Sequence, residues 1–156
     1  MSRVVLALVL LCPFAAGACI VDGTAEEILG RVFAQSRFVF LATVGPTERI
    51  PSEDDRFESV LASDLTVVES FKGALKPGER VPMRLGQPKE TNAHFPAFAW
   101  LGDRVLIYAP SIPVTEESFN IQCGMASHVI GNYDDPNDDI EYLEILRRLK
   151  NPETEG

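Results

Sequence analysis

Residues 57–85 constrain the fold more than any other stretch, because they read as one long bent strand, a turn and a return strand. Leu65, Val67 and Phe71 alternate with Thr66, Val68, Ser70 and Lys72, a period of two that predicts a single apolar face. Glu69 breaks that face and marks the place where such a strand bends or reaches the rim of a sheet. Next comes Lys72-Gly73-Ala74-Leu75-Lys76-Pro77-Gly78, with two glycines suited to positive φ and a proline that ends pairing. The return strand, residues 79–85, places Val81, Met83 and Leu85 on one face. The remaining segments are expected to cover or close this hairpin.

Before the hairpin, Thr24-Ala25-Glu26-Glu27 has the spacing of a capping box, and Ile28, Leu29, Val32 and Phe33 follow at helical spacing. These predict a short helix over residues 25–35. The β-rich run 38–44 is apolar on both faces and stops at Gly45-Pro46, so it is expected as a central strand covered on both sides. Residues 47–56 read as a polar loop. Its run Glu53-Asp54-Asp55 lacks the alternate spacing and the glycine of a calcium loop.

After the hairpin, residues 86–99 read as a connection containing His94, with Phe95, Phe98 and Trp100 giving it apolar area to pack. Residues 104–109 predict a buried strand stopped by Pro110, and residues 119–123 a short last strand ending at Cys123. Asp134-Asp135-Pro136-Asn137-Asp138-Asp139 reads as an acidic start to a final helix, with proline in the first turn. Ile140, Leu143, Leu146 and Leu149 are expected on its apolar face, and Arg147, Arg148 and Lys150 suit its C-terminal end. Residues 151–156 read as a tail, and no internal repeat or second domain is apparent.

Residues 1–18 fit a signal peptide better than a piece of the fold. Arg3 gives a positive start, residues 4–11 are apolar, and Ala16-Gly17-Ala18 supplies the small residues of a cleavage site. A spanning helix needs about 20 apolar residues, and this run is shorter. The expected location is therefore secreted or periplasmic. Cleavage removes Cys12 and leaves Cys19 and Cys123, an even pair that is expected to bridge in an oxidising compartment. The rival reading is lipid attachment at Cys19, since the same small-residue box precedes it. The formal charge of −9 becomes one unit more negative once Arg3 is lost. With Lys and Arg clustered only at Arg147-Arg148-Lys150, nucleic acid and anionic membranes are poor partners.

Catalytic constellations are scarce. The two histidines, His94 and His128, belong to no His-x-x-x-His, and there is no Cys-x-x-Cys, phosphate-cradling glycine loop or Gly-x-Ser-x-Gly elbow. Ser127-His128 adjacency does not place an imidazole on a hydroxyl, and nothing sets two carboxylates across a cleft. The sequence therefore predicts a non-enzymatic protein with no cofactor and no resident metal.

One family does share the order of these motifs. An N-terminal cysteine after a signal precedes a short helix and Phe38-Val39-Phe40-Leu41-Ala42. Then follow Leu65-Thr66-Val67-Val68-Glu69-Ser70-Phe71-Lys72-Gly73, Gly102-Asp103-Arg104-Val105-Leu106-Ile107-Tyr108-Ala109 and a late Cys123-Gly124. Over residues 19–149 the chain resembles the tissue inhibitor of metalloproteinases-like, or netrin-like, domains, including their bacterial members. The resemblance implies a mainly β fold, a five-stranded OB-type barrel with an N-terminal and a C-terminal flanking helix, spanning residues 19–150. It also implies a protein partner, in the animal inhibitors a metalloproteinase. By position, the amine and carbonyl of Cys19 would chelate the protease zinc and Ile20 would enter the specificity pocket. The chain departs from the family at Val21, which stands where a second cysteine is usual, and the partner of that cysteine is also missing near Asn92-Ala93-His94. If Cys19 instead corresponds to that second cysteine, no chelating terminus exists.

Two functional expectations follow. One is an exported protein-binding module able to inhibit a zinc protease through its mature N-terminus. The alternative is a structural or envelope-associated OB domain, tethered by lipid on Cys19 and without inhibitory activity. A Cys19–Cys123 bridge, closing about a hundred residues, contributes about 4–5 kcal/mol in the chain-entropy account. Cys19→Ser and Cys123→Ser should then lower the melting temperature by the same large amount, and non-reducing peptide maps that show both thiols free in exported protein would refute the bridge.

Overall fold

A computed structural model describes residues 23–89, 103–119, 128–130 and 136–151 of the chain. It is a mainly β architecture: six strands in one antiparallel sheet, with two helices. The chain runs α1 (Ala25–Gln35), β1 (Phe38–Val44), β2 (Glu48–Pro51), β3 (Phe57–Lys72), β4 (Arg80–Pro88), β5 (Arg104–Ala109), a 3-10 turn at Glu116–Phe119, β6 (His128–Ile130) and α2 (Pro136–Lys150). No helix among the described residues is long and apolar enough to cross a membrane.

β3 is the shared strand. β4 pairs with it from Phe57 to Thr66, β2 from Ser59 to Ala62 and β1 from Leu65 to Lys72. Because β4 overlaps both β2 and β1 along β3, those two strands lie end to end on the opposite edge. β5 then pairs with the far edge of β1, and β6 with β5. The expected polar loop at 47–56 therefore contains a four-residue strand. Its charged residues hid an edge strand, Glu48–Pro51, whose side chains are mostly exposed and whose final proline is compatible with that edge. The return strand also runs past Leu85 to Pro88, taking in residues expected in the connection.

The sheet carries an apolar core on each face. On the inner face, Phe40, Ala42 and Val44 of β1 meet Leu65 and Val67 of β3, Val81, Met83 and Leu85 of β4, and Val105 and Ile107 of β5. Strands three places apart share this cluster, so the sheet is curled. Val114, beyond β5, completes the cluster and exchanges hydrogen bonds of 2.8 and 2.9 Å with Arg84 and Pro82 on the outer edge of β4. Among the described residues this contact is a single bridge, Met83 to Val114, and not a continuous ladder.

On the outer face, Val39 and Leu41 of β1, Leu106 and Tyr108 of β5, and Phe71 of β3 receive Leu29 and Val32 of α1 and Leu143, Ile145 and Leu146 of α2. β1 is thus central and covered on both sides, as its doubly apolar sequence requires. Burial of Tyr108, with Tyr142 adding to it, pushes its phenol well above the ordinary value and keeps it neutral.

Phe71 is not on the face of Leu65 and Val67, as strict alternation predicted. Glu69 pairs with Leu41 and Val67 with Ala42, leaving Val68 as an extra residue, and Phe71 is skipped in the same way between Ser70 and Lys72. Each bulge shifts the alternation by one. The strand therefore passes from the inner core to the outer one, and Glu69 sits at the bend its sequence indicated. The turn glycines Gly73 and Gly78 have φ of 93° and 83°, as the turn chemistry required.

Two further expectations are corrected. Ile140 is 57% exposed and Ile145 is buried in its stead. A step of three residues turns about 300° along a helix, so a row spaced by threes drifts about 60° per step and Ile140 lies about 180° from Leu149. Phe119, expected to open the last strand, ends the 3-10 turn and packs on the inner core; residues 120–123 lie outside the described residues. Among those described, the last strand is His128–Ile130.

Gly45, just after β1, approaches the backbone of β3 closely. Its N–H donates to Asp64 O at 2.9 Å, and a Cβ built there would lie 2.6 Å from the same oxygen. The obstruction is backbone on a central strand, so Gly45→Ala should destabilise the fold by about 1–3 kcal/mol, read by chemical denaturation. An unchanged unfolding midpoint would show that the β1–β2 junction is not tightly held.

Candidate recognition surface

The interior of the curled sheet is occupied by side chains. Phe40, Ala42, Leu65, Ile107 and Val114 are fully buried within it. Emptying such a site costs about 2–5 kcal/mol per large side chain, so among the described residues the candidates for recognition are on the outer surfaces.

The residues singled out from sequence, Cys19, Ile20 and Cys123, lie outside the described residues, as do His94 and Ser127. The structure does describe the support that follows the first two. Thr24 caps α1: Glu27 N–H donates to its Oγ1 at 3.3 Å, and Thr24 N–H donates to the Glu27 carboxylate at 2.8 Å. Such a box contributes about 1 kcal/mol to a helix start. Glu26 reaches Arg148 of α2 at 3.5 Å. At the other end, Lys72 Nζ donates to Phe33 O at 2.7 Å and Ala34 O at 3.0 Å, and Ser36 Oγ donates to Val32 O at 2.8 Å. These close the last carbonyls of α1 and place a cation at the negative end of its dipole.

The acidic run at 53–55 is not free carboxylate throughout. Arg56 donates to both oxygens of Asp54, its Nη2 at 2.6 Å and its Nε at 3.0 Å to each. The side-chain hydrogen bond from Arg56, then its backbone N–H, hold the carboxyl down to about 2. Of the second acidic stretch, Pro136 opens α2 as expected.

A feature not apparent from sequence is the convergence of cations on the end of β3. A groove of about 250 Å³ is lined by residues 68–73 together with Leu75, Pro77 and Lys150. Arg147 grips the Glu69 carboxylate, Nε to Oε1 at 3.1 Å and Nη2 to Oε2 at 2.8 Å, while Lys150 Nζ donates to Ser70 O at 2.8 Å. From sequence, Lys72 reads as a strand end and Arg147 and Lys150 as the tail of a helix. Only the bulge at Val68, which turns Glu69 toward α2, brings them together.

The guanidinium hydrogen bonds hold the Glu69 carboxyl below its ordinary range. A depressed carboxylate stabilises the fold above its unfolded pKa, about 4.3, and that contribution disappears as pH falls through the folded value. The pair is partly exposed, 49% at Arg147 and 30% at Glu69, so its contribution is about 0.2–1 kcal/mol. Glu69→Gln should lower stability by that amount at neutral pH, and the deficit should shrink as pH falls below the unfolded value and disappear once the carboxyl is protonated in both states. A deficit that persists at low pH would assign the effect to packing and not to the ion pair.

No protein-family model matches this chain, and a search of curated proteins finds no significant relative.

Proposed function

We propose that the protein is an exported, non-enzymatic protein-binding module of the metalloproteinase-inhibitor-like kind, an OB-type barrel that presents its mature N-terminus, Cys19 and Ile20, to a partner. The observation that carries this reading is the pairing of a filled interior with a fastened helix start. The inner core leaves recognition to the surface, and the segment carrying Cys19 runs directly into Thr24, whose capping box and contacts with α2 give it a fixed base. A terminus held by rigid structure loses less entropy on binding. The curled antiparallel sheet, with one helix before it and one after, fits the barrel that the motif order implies.

In this reading the α-amine and carbonyl of Cys19 bind an open zinc position and Ile20 fills the adjoining pocket. Protein beginning at Cys19 should then inhibit a secreted zinc protease, and one added N-terminal residue should abolish inhibition. The addition turns the amine into an amide, a poor zinc ligand, and leaves the fold intact, so the melting temperature should not change. Equal inhibition by the extended form would refute chelation. No inhibition across a panel of zinc proteases, together with an intact mass that includes a diacylglycerol on Cys19, would establish the envelope-tethered alternative.

A further inference from the structure

The groove at the end of β3 combines three properties. First, it borders an open strand edge. The β4 ladder on that edge ends at Thr66 with one further exchange at Val67, whose N–H donates to Glu79 O and whose carbonyl accepts from Gly78 N–H. From Val68 onward no strand pairs there among the described residues. Second, it has an apolar lip, since Val68 is 42% exposed and Leu75 and Pro77 line the groove with it. Third, it is basic on an acidic protein. Lys72 and Lys150 line it, and its own carboxylate, Glu69, is already taken by Arg147.

We propose that this groove docks an extended acidic segment of a partner protein, with a carboxylate between Lys72 and Lys150 and an aliphatic side chain against Val68 and Leu75. Charge selects this occupant. The chain carries a formal charge of −9, so its surface as a whole repels anions and this groove is where a carboxylate meets two ammonium groups. Neither ammonium is exhausted by its present contacts. Each has three donors; Lys72 uses two on Phe33 and Ala34, its ammonium also lying 5.2 Å from the centre of the Phe33 ring, and Lys150 uses one on Ser70, which makes Lys150 the freer of the two. The open edge suits an extended chain, which offers backbone groups along its length and side chains at alternate positions. The inference does not rest on the role proposed for Cys19 and Ile20; the groove meets α1 only at its C-terminal end, through Lys72.

The test uses isotope-labelled protein and a synthetic peptide of alternating glutamate and valine, with a lysine–valine peptide as control. The acidic peptide should shift the amide resonances of residues 68–73 and the basic one should not. Raising the salt from about 0.1 M to about 1 M, which shortens the screening length from about 10 Å to about 3 Å, should weaken binding severalfold. Lys150→Gln should weaken it about fivefold, the equivalent of about 1 kcal/mol. Val68→Glu, at an exposed position that leaves the core untouched, should abolish binding with an unchanged melting temperature. The proposal is overturned if millimolar acidic peptide leaves these amides unmoved, or if both peptides shift them equally. It is also overturned if a single-stranded oligonucleotide shifts them as strongly, or if Glu153→Gln with Glu155→Gln raises peptide affinity, which would make the chain's own acidic end the occupant. An extension at Cys19 should not change this binding, so the two readings fail independently.

Discussion

The extra residue at Val68 is the constraint on which most of the architecture depends. A regular strand presents one set of side chains to one face along its whole length, and β3 must serve two cores. Leu65 and Val67 complete the inner core, while Phe71 joins Val39, Leu41, Leu106 and Tyr108 under the helices. Only a change of parity between Val67 and Phe71 permits both, and the register shift between Ala42 and Leu41 supplies it. The same change turns Glu69 from the inner face, where an unpaired carboxylate would be very costly, to the side where Arg147 meets it. The bend that a bulge introduces also helps curl the sheet around its interior, so face exchange, ion pair and curvature share a single local cause.

Elements whose signals are local were legible in the sequence. The capping box and apolar spacing delimited α1, and the doubly apolar run of β1 declared its central position, since each of its faces lies against a different core. Glu69 announced the bend because a carboxylate does not stay on a packed apolar face without a partner. Elements whose formation rests on a partner were not legible. β2 carries Glu48 and Arg49 and has no apolar pattern; it is a strand because β3 offers it an edge. Phe71 looked like part of one face because alternation assumes an unbroken register. Ile140 looked apolar and aligned because a spacing of three resembles the helical period over one turn and departs from it over three. Cys19, Ile20 and Cys123, the residues on which the family resemblance turns, fall outside the described residues, so their roles rest on the sequence and on the support that Thr24 and α1 provide.

A filled interior shifts the functional question from cavities to surfaces. In small curled sheets the inward residues either leave room for a ligand or pack solid, and here Phe40, Leu65, Ile107 and Val114 pack solid. Fold alone does not select among the activities such a scaffold supports. What it does is fix positions. α1 is closed at one end by its own capping box and at the other by Lys72, and α2 is pinned to β3 by Arg147 and Lys150. A frame held in this way is the physical support on which both proposals, an inhibitor-like terminus and a peptide-binding edge, rest.

A charge count treats every cation as equivalent, and the structure divides them. Arg56 is paired with Asp54, Arg148 reaches Glu26, and Arg147 is paired with Glu69. Each of these pairs leaves no net charge behind. Lys72 and Lys150, like Arg84 on Ser63 and Met83, instead hold backbone carbonyls, here of Phe33, Ala34 and Ser70, which satisfy hydrogen bonds without cancelling charge. Two positive charges therefore persist at one place, held in position by the carbonyls that orient them. The acidic excess elsewhere lowers the positive potential these two charges create, so it weakens anion binding in general while leaving this site favoured over the rest of the surface. The net charge that makes nucleic acid a poor general partner thus coexists with a local preference for carboxylate, and the distinction depends on which atoms the lysines hold.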